Sequence, residues 1–128
     1  MIEPKFLSAA VAYPIHDRQL AEHGGLAGMK DDDLLESALA RPVNKHAYGG
    51  DDPCALAAAY AFGIARNHPF KDGNKRTAWV IARLFLRLDG VTIAFDKAEA
   101  IRMVLALASG ALEEAAVAAW FRERVVEA

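Results

Sequence analysis

The sequence has little of several features that would decide its class at once. It has a single cysteine, Cys54, which excludes a disulfide within the chain and a cysteine-based zinc site. Its net charge of −2 argues against a direct nucleic-acid binder, because such a protein needs a basic face. Its apolar runs are broken by Arg, Lys or Gly well short of the roughly 20 residues that cross a membrane. The first residues contain no basic segment followed by a long apolar one, so we expect no signal peptide, no membrane attachment and a cytoplasmic protein.

Apolar residues, by contrast, are plentiful. They make up 54% of the 128 residues, against 25% charged, which is enough apolar material for a folded core. No repeat, low-complexity segment or linker divides the chain, so residues 1–128 are predicted to form a single domain of ordinary length. Cys54 lies beside an alanine-rich run and is expected to be a small buried hydrophobe.

Helical periodicity is clear in the first half of the chain. It predicts helices over Ser8–Glu22, 31–42 and Pro53–Asn67. Pro14 is expected to interrupt or offset the first helix, and Pro42 to end the second. The third helix begins with a proline, which suits the first helical position.

The second half of the chain is also mostly helical in pattern. Residues 77–89 are apolar on nearly all sides, which is typical of a buried helix, and we expect this helix to be the central one. The β-branched stretch 91–95 predicts a short extended piece. Two further amphipathic helices are predicted over 97–109 and 112–125. The sequence therefore predicts an all-α bundle.

Two loops separate the early helices. The glycine-rich stretch 24–29 is not a phosphate loop, because no Gly-Lys-Ser/Thr sequence ends it, and its glycines are those of tight turns. Residues 43–53 are rich in turn-forming residues and are predicted to be a loop.

The most concentrated polar chemistry is HPFKDGNKR at residues 68–76, between two apolar helices. His68 precedes a proline, which disfavours α geometry and so ends the preceding helix. Phe70 is expected to anchor the loop to the core. Asp72-Gly73 is a turn signal. A helix then begins at Asn74.

This segment has the residue types that phosphate transfer needs. Unpaired N–H groups at a helix start attract anions, and Lys75 and Arg76 add positive charge there. His68 can be neutral at cellular pH and accept a proton from an attacking hydroxyl. Asp72 can bind Mg²⁺ together with substrate phosphates. Each residue alone has an ordinary alternative, such as a helix end, an N-cap or a solvated charge, but their combination in one loop favours phosphoryl or nucleotidyl transfer.

The same segment resembles the signature of Fic-domain proteins, His-x-Phe-x-Asp/Glu-Gly-Asn-Gly-Arg followed two residues on by a second Arg. Two positions depart from that signature: Lys75 replaces the second glycine, and Trp79 stands where the last arginine would be. Both departures are similar to the Doc ("death on curing") branch of the family. The stretches 24–42, 82–90 and 105–121 also resemble Doc proteins. The matching positions are His68, Phe70, Asp72, Gly73, Asn74 and Arg76.

The resemblance implies a Fic/Doc-type fold, a single compact helical bundle around a central buried helix, and the use of ATP and Mg²⁺. Fic proteins usually transfer AMP to a target hydroxyl, whereas Doc toxins are kinases that transfer the γ-phosphoryl group to a threonine of elongation factor Tu and so block translation. Lys75 fills space that a glycine would leave for a phosphate, and the loss of an arginine at 79 removes a phosphate contact. A Doc-like kinase is therefore the main hypothesis; the alternatives are an adenylyltransferase and a catalytically silent binding module.

The resemblance also implies a role for each motif residue. His68 corresponds to the general base and Asp72 to the Mg²⁺ ligand, and Lys75 and Arg76 are catalytic candidates as well. Arg66, two residues before the histidine, is expected either to reach phosphate or to be a cation at the end of its helix. His16-Asp17 is similar to a pair in Doc proteins, but no role follows for it. The phosphate cradle corresponds to Gly73, Asn74, Lys75 and Arg76.

Control and target choice are implied in the same way. Many Fic proteins inhibit themselves through a Ser/Thr-x-x-x-Glu-Gly/Asn helix, and this sequence contains no such pattern. A Doc-like toxin would instead be paired with a small Phd-like antitoxin whose disordered tail folds onto it. The loop 43–52 is expected to help choose the protein substrate.

Overall fold

Six α-helices and one two-stranded sheet make up the regular structure of residues 3–128, the part of the chain that this computed structural model describes. The predicted all-α fold is confirmed. The helices are α1 Ala9–His23, α2 Asp32–Ala47, α3 Pro53–Asn67, α4 Asn74–Leu88, α5 Lys97–Ser109 and α6 Glu114–Arg122. The strands are β1 Thr92–Ile93 and β2 Val125–Glu127, which pair antiparallel.

The helix α3 is the buried centre of the bundle. It packs against α2, α4, α5 and α6, and its side chains are buried along nearly its whole length. Asp52 begins it by accepting a hydrogen bond from the Cys54 N–H at 3.0 Å, with Pro53 in the first helical position. The predicted bounds of this helix are confirmed. Cys54 is buried, as expected.

The helix predicted to be central, 77–89, lies within α4 and is amphipathic instead. One face of α4 is buried in the core, but Arg83 and Arg87 lie exposed on the other. Trp79 and Val80 are only partly buried and line a surface groove, although Trp79 also packs against the edge of the core. Apolar composition on all sides therefore overstated how deeply this helix is buried.

Both internal prolines lie inside helices, so neither prediction of a break was correct. Pro14 is exposed within α1, where water can bond the carbonyl that loses its helical partner. Pro42 is buried within α2, and its packing offsets the missing N–H bond. Helix α2 consequently continues to Ala47, and residues 43–47 are helical rather than part of a loop.

The short extended piece predicted over 91–95 is confirmed as β1. The end of the last predicted helix, 112–125, is different: α6 stops at Arg122, and Val125 belongs to β2, opposite Ile93. Consecutive valines at 125 and 126 favour extended geometry over helix. No helix of the described residues is long and apolar enough to cross a membrane.

Candidate active site

The polar segment 68–73 connects α3 to α4 at one end of the bundle. His68 ends α3 with a left-handed φ of 50°, the one positive φ among the non-glycine residues of the described chain. Such geometry costs free energy for a residue with a side chain and is often found at functional sites. The His68 side chain is exposed to solvent.

The glycine-rich stretch 24–29, together with Lys30, lies against this loop and extends it. The N–H groups of Lys30 and Asp31 both donate to the Pro69 carbonyl, at 2.8 and 3.2 Å. Met29 and Phe70 form an isolated antiparallel bridge, and the Lys71 N–H donates to a carbonyl of the stretch at 3.1 Å. The exposed edge of the site is therefore built by residues 24–30.

Residues 43–52, which are expected to help choose the protein substrate, lie away from this loop. The last of these residues connect α2 to α3 at the start of α3, whereas His68 caps its end. The 15 residues of α3 separate the two positions by about 22 Å. Residues 24–30, rather than the connection before α3, are therefore the neighbours of the His68 loop.

Phe70 anchors the loop, as expected, with a side chain that is 1% exposed. A residue of α1 covers it: the ring of His16 stacks on the Phe70 ring with centroids 3.7 Å apart and planes 8° from parallel. His16 Nε2 lies 2.7 Å from the Asp72 carbonyl oxygen. Because a carbonyl oxygen only accepts, Nε2 carries the proton and donates it.

Asn74 fixes the shape of the loop from the other side. Its Oδ1 accepts from the Phe70 N–H at 3.0 Å, and its Nδ2 donates to the Phe70 carbonyl at 2.9 Å. The side chain is buried and has both ends engaged by the main chain. What Asn74 can offer a phosphate is accordingly its backbone N–H at the start of α4.

Asp72 presents an exposed carboxylate beside the start of α4. Its Oδ1 accepts from the Gly73 N–H at 2.9 Å, and its Oδ2 accepts from the Leu26 N–H at 3.2 Å. These two bonds, and then the nearby charge of Arg76, lower the pKa of the carboxyl below its ordinary value. The group is ionised at neutral pH and retains free lone pairs, which are what Mg²⁺ requires.

The donor set around Asp72 suits Mg²⁺ bound with a nucleotide rather than Mg²⁺ alone. Residues 3–128 contain no cluster of three or more groups able to hold a metal ion. Magnesium commonly binds through one or two carboxylates plus waters and substrate phosphates. One ionised carboxylate next to an anion site fits that pattern.

The start of α4 is a positively charged helix end that its own loop leaves open. Gly73 precedes it with a φ of 77°, and no side chain of the described residues caps it. Lys75 is exposed, and Arg76 donates from Nη2 to the Gly24 carbonyl at 3.2 Å. Free N–H groups, the helix dipole and two cations together attract a phosphate.

A groove of about 470 Å³ opens beside Lys75 and Arg76. Its floor is largely apolar and includes Ile101 and Leu105, which are 52% and 50% exposed. Basic side chains stand at its rim. Its lining also includes His23, Trp79, Val80, Phe95 and Lys97.

Arg66 does not lie with the phosphate cradle. Its Nε donates to the Leu107 carbonyl at 2.8 Å, and its Nη2 donates to the Leu112 carbonyl at 3.2 Å. Its guanidinium also sits 4.6 Å from the centre of the Phe62 ring. Of the two expectations for Arg66, the structure shows the cation in the last turn of α3. Its bonds tether α3 to the end of α5 and to the connection from α5 to α6.

Comparison with known proteins shows which family the chain resembles. The profile of the Fic/DOC family matches residues 6–86, more than half of the chain. The chain is 37% identical over 105 residues to the protein kinase doc of Escherichia phage P1, covering 81% of this chain and 82% of that protein. It is 46% identical over 76 residues to the toxin Doc of Mycolicibacterium smegmatis, covering 57% of this chain and 58% of that protein.

The chain belongs to the Fic/Doc family. Its resemblance to Doc toxins is confirmed by these relatives. In this Fic/Doc protein, the loop and the first turn of α4 bring together most of the predicted site residues. They are His68, Asp72, Gly73, Asn74, Lys75 and Arg76.

Sequence reasoning missed the residues that hold this loop from outside it. The sequence singles out His16 without giving it a role, and it gives no sign of Leu26. A signal for His16 did exist: it shares a face of α1 with Ala12, and a polar side chain among apolar residues on a buried face is informative. Leu26 contacts Asp72 through its backbone N–H, which every residue except proline has, so the sequence cannot indicate this contact.

Proposed function

We propose that this protein is a Doc-like toxin kinase that transfers the γ-phosphoryl group of ATP to a threonine hydroxyl of elongation factor Tu and so blocks translation. The observation that carries the proposal is the junction of α3 and α4, where the exposed His68 and the ionised Asp72 stand beside an uncapped, cationic helix start. The name of the phage P1 relative, a protein kinase, supports the same class of reaction.

His68 acts as the general base in this proposal. It accepts the proton of the threonine hydroxyl as the hydroxyl oxygen forms a bond to the γ-phosphorus. The bond between that phosphorus and the β–γ bridging oxygen breaks, and its electron pair leaves with ADP. Exposure of His68 on a loop between helices makes it accessible to a hydroxyl on another protein.

Phosphate is held by the first turn of α4. The backbone N–H groups at Asn74 and Lys75, with the side chains of Lys75 and Arg76, stabilise negative charge on the transferred group and its neighbours. Asp72 would hold Mg²⁺ together with the nucleotide phosphates, and the ion would offset their charge when bound.

Lys75 favours transfer of phosphate over transfer of AMP. A glycine at this position would let a phosphate approach the backbone closely, whereas a lysine occupies that space and places a charge in it. Trp79 lies one turn further along α4 and packs with Phe95 and Phe121, so position 79 contributes an indole ring rather than a guanidinium. Both features change how a triphosphate would sit.

A Phd-like antitoxin is the proposed regulator, and the groove beside Lys75 is its proposed binding site. The exposed apolar side chains of Ile101 and Leu105 suit the apolar face of a helix, and the basic rim suits acidic residues beside it. Occupying this groove would place the antitoxin next to the phosphate site.

The test is the mass of elongation factor Tu after incubation with this protein, ATP and Mg²⁺. A gain of one phosphate with the wild type, and none with His68→Ala, supports the proposal. A gain of AMP would replace it with adenylyl transfer. If elongation factor Tu is unchanged but another protein of a cell extract gains label from γ-labelled ATP, the target is wrong. If His68→Ala leaves cell toxicity intact, the enzyme assignment itself is wrong.

A further inference from the structure

The imidazole of His16 is a buried polar group whose neighbours belong to the catalytic loop. Its side chain is on α1, 3% exposed, and is separated from Asp72 by 56 positions in sequence. A polar ring withdrawn from water needs a hydrogen-bond partner, and the partner here is the Asp72 carbonyl at 2.7 Å.

This carbonyl belongs to the peptide group between Asp72 and Gly73. The peptide group is planar, so holding its oxygen also fixes the direction of its N–H. That N–H, on Gly73, donates to Asp72 Oδ1 at 2.9 Å. The imidazole of His16 therefore acts on the Asp72 carboxylate through a single rigid unit.

The second carboxylate oxygen is held independently. Asp72 Oδ2 accepts from the Leu26 N–H at 3.2 Å, so the carboxylate is fixed at both ends, by the peptide that His16 holds and by the glycine-rich stretch. Loss of the His16 hydrogen bond would free the peptide to rotate, and Oδ1 would lose its fixed partner.

The stacking contact adds a separate constraint. His16 lies flat on Phe70, two residues before Asp72, at a centroid distance of 3.7 Å. It thus fixes the loop at two points, through ring packing at Phe70 and through a hydrogen bond at Asp72. Because these contacts use different properties of the side chain, substitutions can remove them one at a time.

We propose that His16 is a positioning residue for phosphoryl transfer: its Nε2–H orients the peptide after Asp72 and thereby aims the Asp72 carboxylate at Mg²⁺ and nucleotide. The inference rests on the proposed kinase function. His16 touches neither substrate nor metal in this role and acts through Asp72. Removal of a group that orients a metal ligand typically costs about 10- to 100-fold in metal affinity or activity.

Two variants separate the two contacts. His16→Phe keeps a ring against Phe70 but has no donor, and His16→Gln places an amide N–H near the position of Nε2 but has no ring. Val11→Ala serves as the control on the same helix, because Val11 packs against the core and makes no hydrogen bond with the loop.

The measurement is Mg²⁺-dependent ATP binding and phosphoryl transfer, with thermal unfolding of each variant. We expect His16→Phe to raise the Mg²⁺ concentration for half-maximal binding about 10- to 100-fold, and His16→Gln to recover much of that loss. We expect Val11→Ala to lower the melting temperature with no shift in Mg²⁺ dependence. Wild-type Mg²⁺ dependence in His16→Phe, or the same shift in Val11→Ala, overturns the inference.

Nitrogen-15 NMR of histidine in the wild-type protein tests the hydrogen bond without any substitution. His16 is expected as the Nε2–H tautomer with a slowly exchanging proton, and an Nδ1–H tautomer overturns the inference even if His16→Phe fails to fold. A wild type that binds Mg²⁺ and ATP but phosphorylates nothing contradicts the proposed function, while the binding comparison still decides the role of His16.

Discussion

Asn74 holds Phe70 by both polar groups of its main chain, accepting from the N–H and donating to the carbonyl. An amide side chain at the first position of a helix thereby closes the loop that precedes it. The pair explains how a buried phenyl ring and an exposed carboxylate, Asp72, can be only two residues apart.

Asn74→Ala is expected to lower the free energy of unfolding by about 2–4 kcal/mol, because two main-chain groups lose their partners in a buried place. Urea denaturation measures the change. Asn44→Ala, on the exposed side of α2, is the control and should stay within about 0.5 kcal/mol of the wild type. Equal denaturation midpoints for the two variants would contradict the role of Asn74.

Gly25→Ala is expected to impair the site more than the fold. The φ of Gly25 is +126°, and a Cβ there would lie 2.8 Å from Asp72 Oδ2, so the carboxylate must move. Gly24→Ala is a matched control: its φ is +78°, but a Cβ would meet nothing within 4 Å. We expect Gly25→Ala to need a higher Mg²⁺ concentration for half-maximal ATP binding than Gly24→Ala. Identical Mg²⁺ titrations of the two variants would argue against the contact.

Gly63→Ala is expected to destabilise the contact between α3 and α2. A Cβ at this position would come within 3.0 Å of the Ala38 Cα, a backbone atom that cannot move alone. Overpacking of this kind typically costs about 1–3 kcal/mol. Thermal unfolding measures it, with the exposed substitution Ala40→Ser as control. A melting temperature equal to that of the control would show that α2 and α3 can move apart without loss of stability.

Stability is expected to fall at alkaline pH because of two buried groups. Burial raises the pKa of Cys54 to about 11 and that of Tyr60 to about 12. Both groups therefore keep their protons in the folded state at pH values where the unfolded chain releases them, so unfolding becomes easier as pH rises from about 9 to 12. In Cys54→Ala the free energy of unfolding should fall less over the lower part of this pH range, and in Tyr60→Phe it should fall less over the upper part. Urea denaturation at each pH measures it.

Arg66→Met distinguishes the tether from a phosphate contact. Loss of the bonds to Leu107 and Leu112 is expected to reduce stability and leave the KM for ATP close to that of the wild type. Arg76→Met is expected to raise that KM, since Arg76 lies at the phosphate site. Comparable increases in the two variants would restore a direct role for Arg66.

The parts of the fold that the sequence predicted well are those decided by neighbouring residues. Pro53 marks the start of α3 and His68-Pro69 its end, because the geometry of proline and of the residue before it acts within a few positions. The loop, its apolar anchor Phe70 and the helix start at Asn74 followed from equally local signals.

The parts that failed depend on contacts between distant segments. Pro42 was expected to end α2, yet its burial in the core compensates for the lost bond. The burial of α4 depends on which face its neighbours cover, and composition alone does not show this. Likewise, the hold of His16 on Asp72 arises when α1 packs onto α4, which no local pattern encodes.

The contact between α1 and the catalytic loop also determines when the protein can be active. Partners of Asp72 come from positions 56 and 46 residues earlier in the chain, so the site requires long-range packing as well as a formed loop. Local opening that releases α1 would therefore dismantle the site while the helices around α3 remain folded. Amide hydrogen exchange in α1 should accordingly report the fraction of molecules in which the site is assembled.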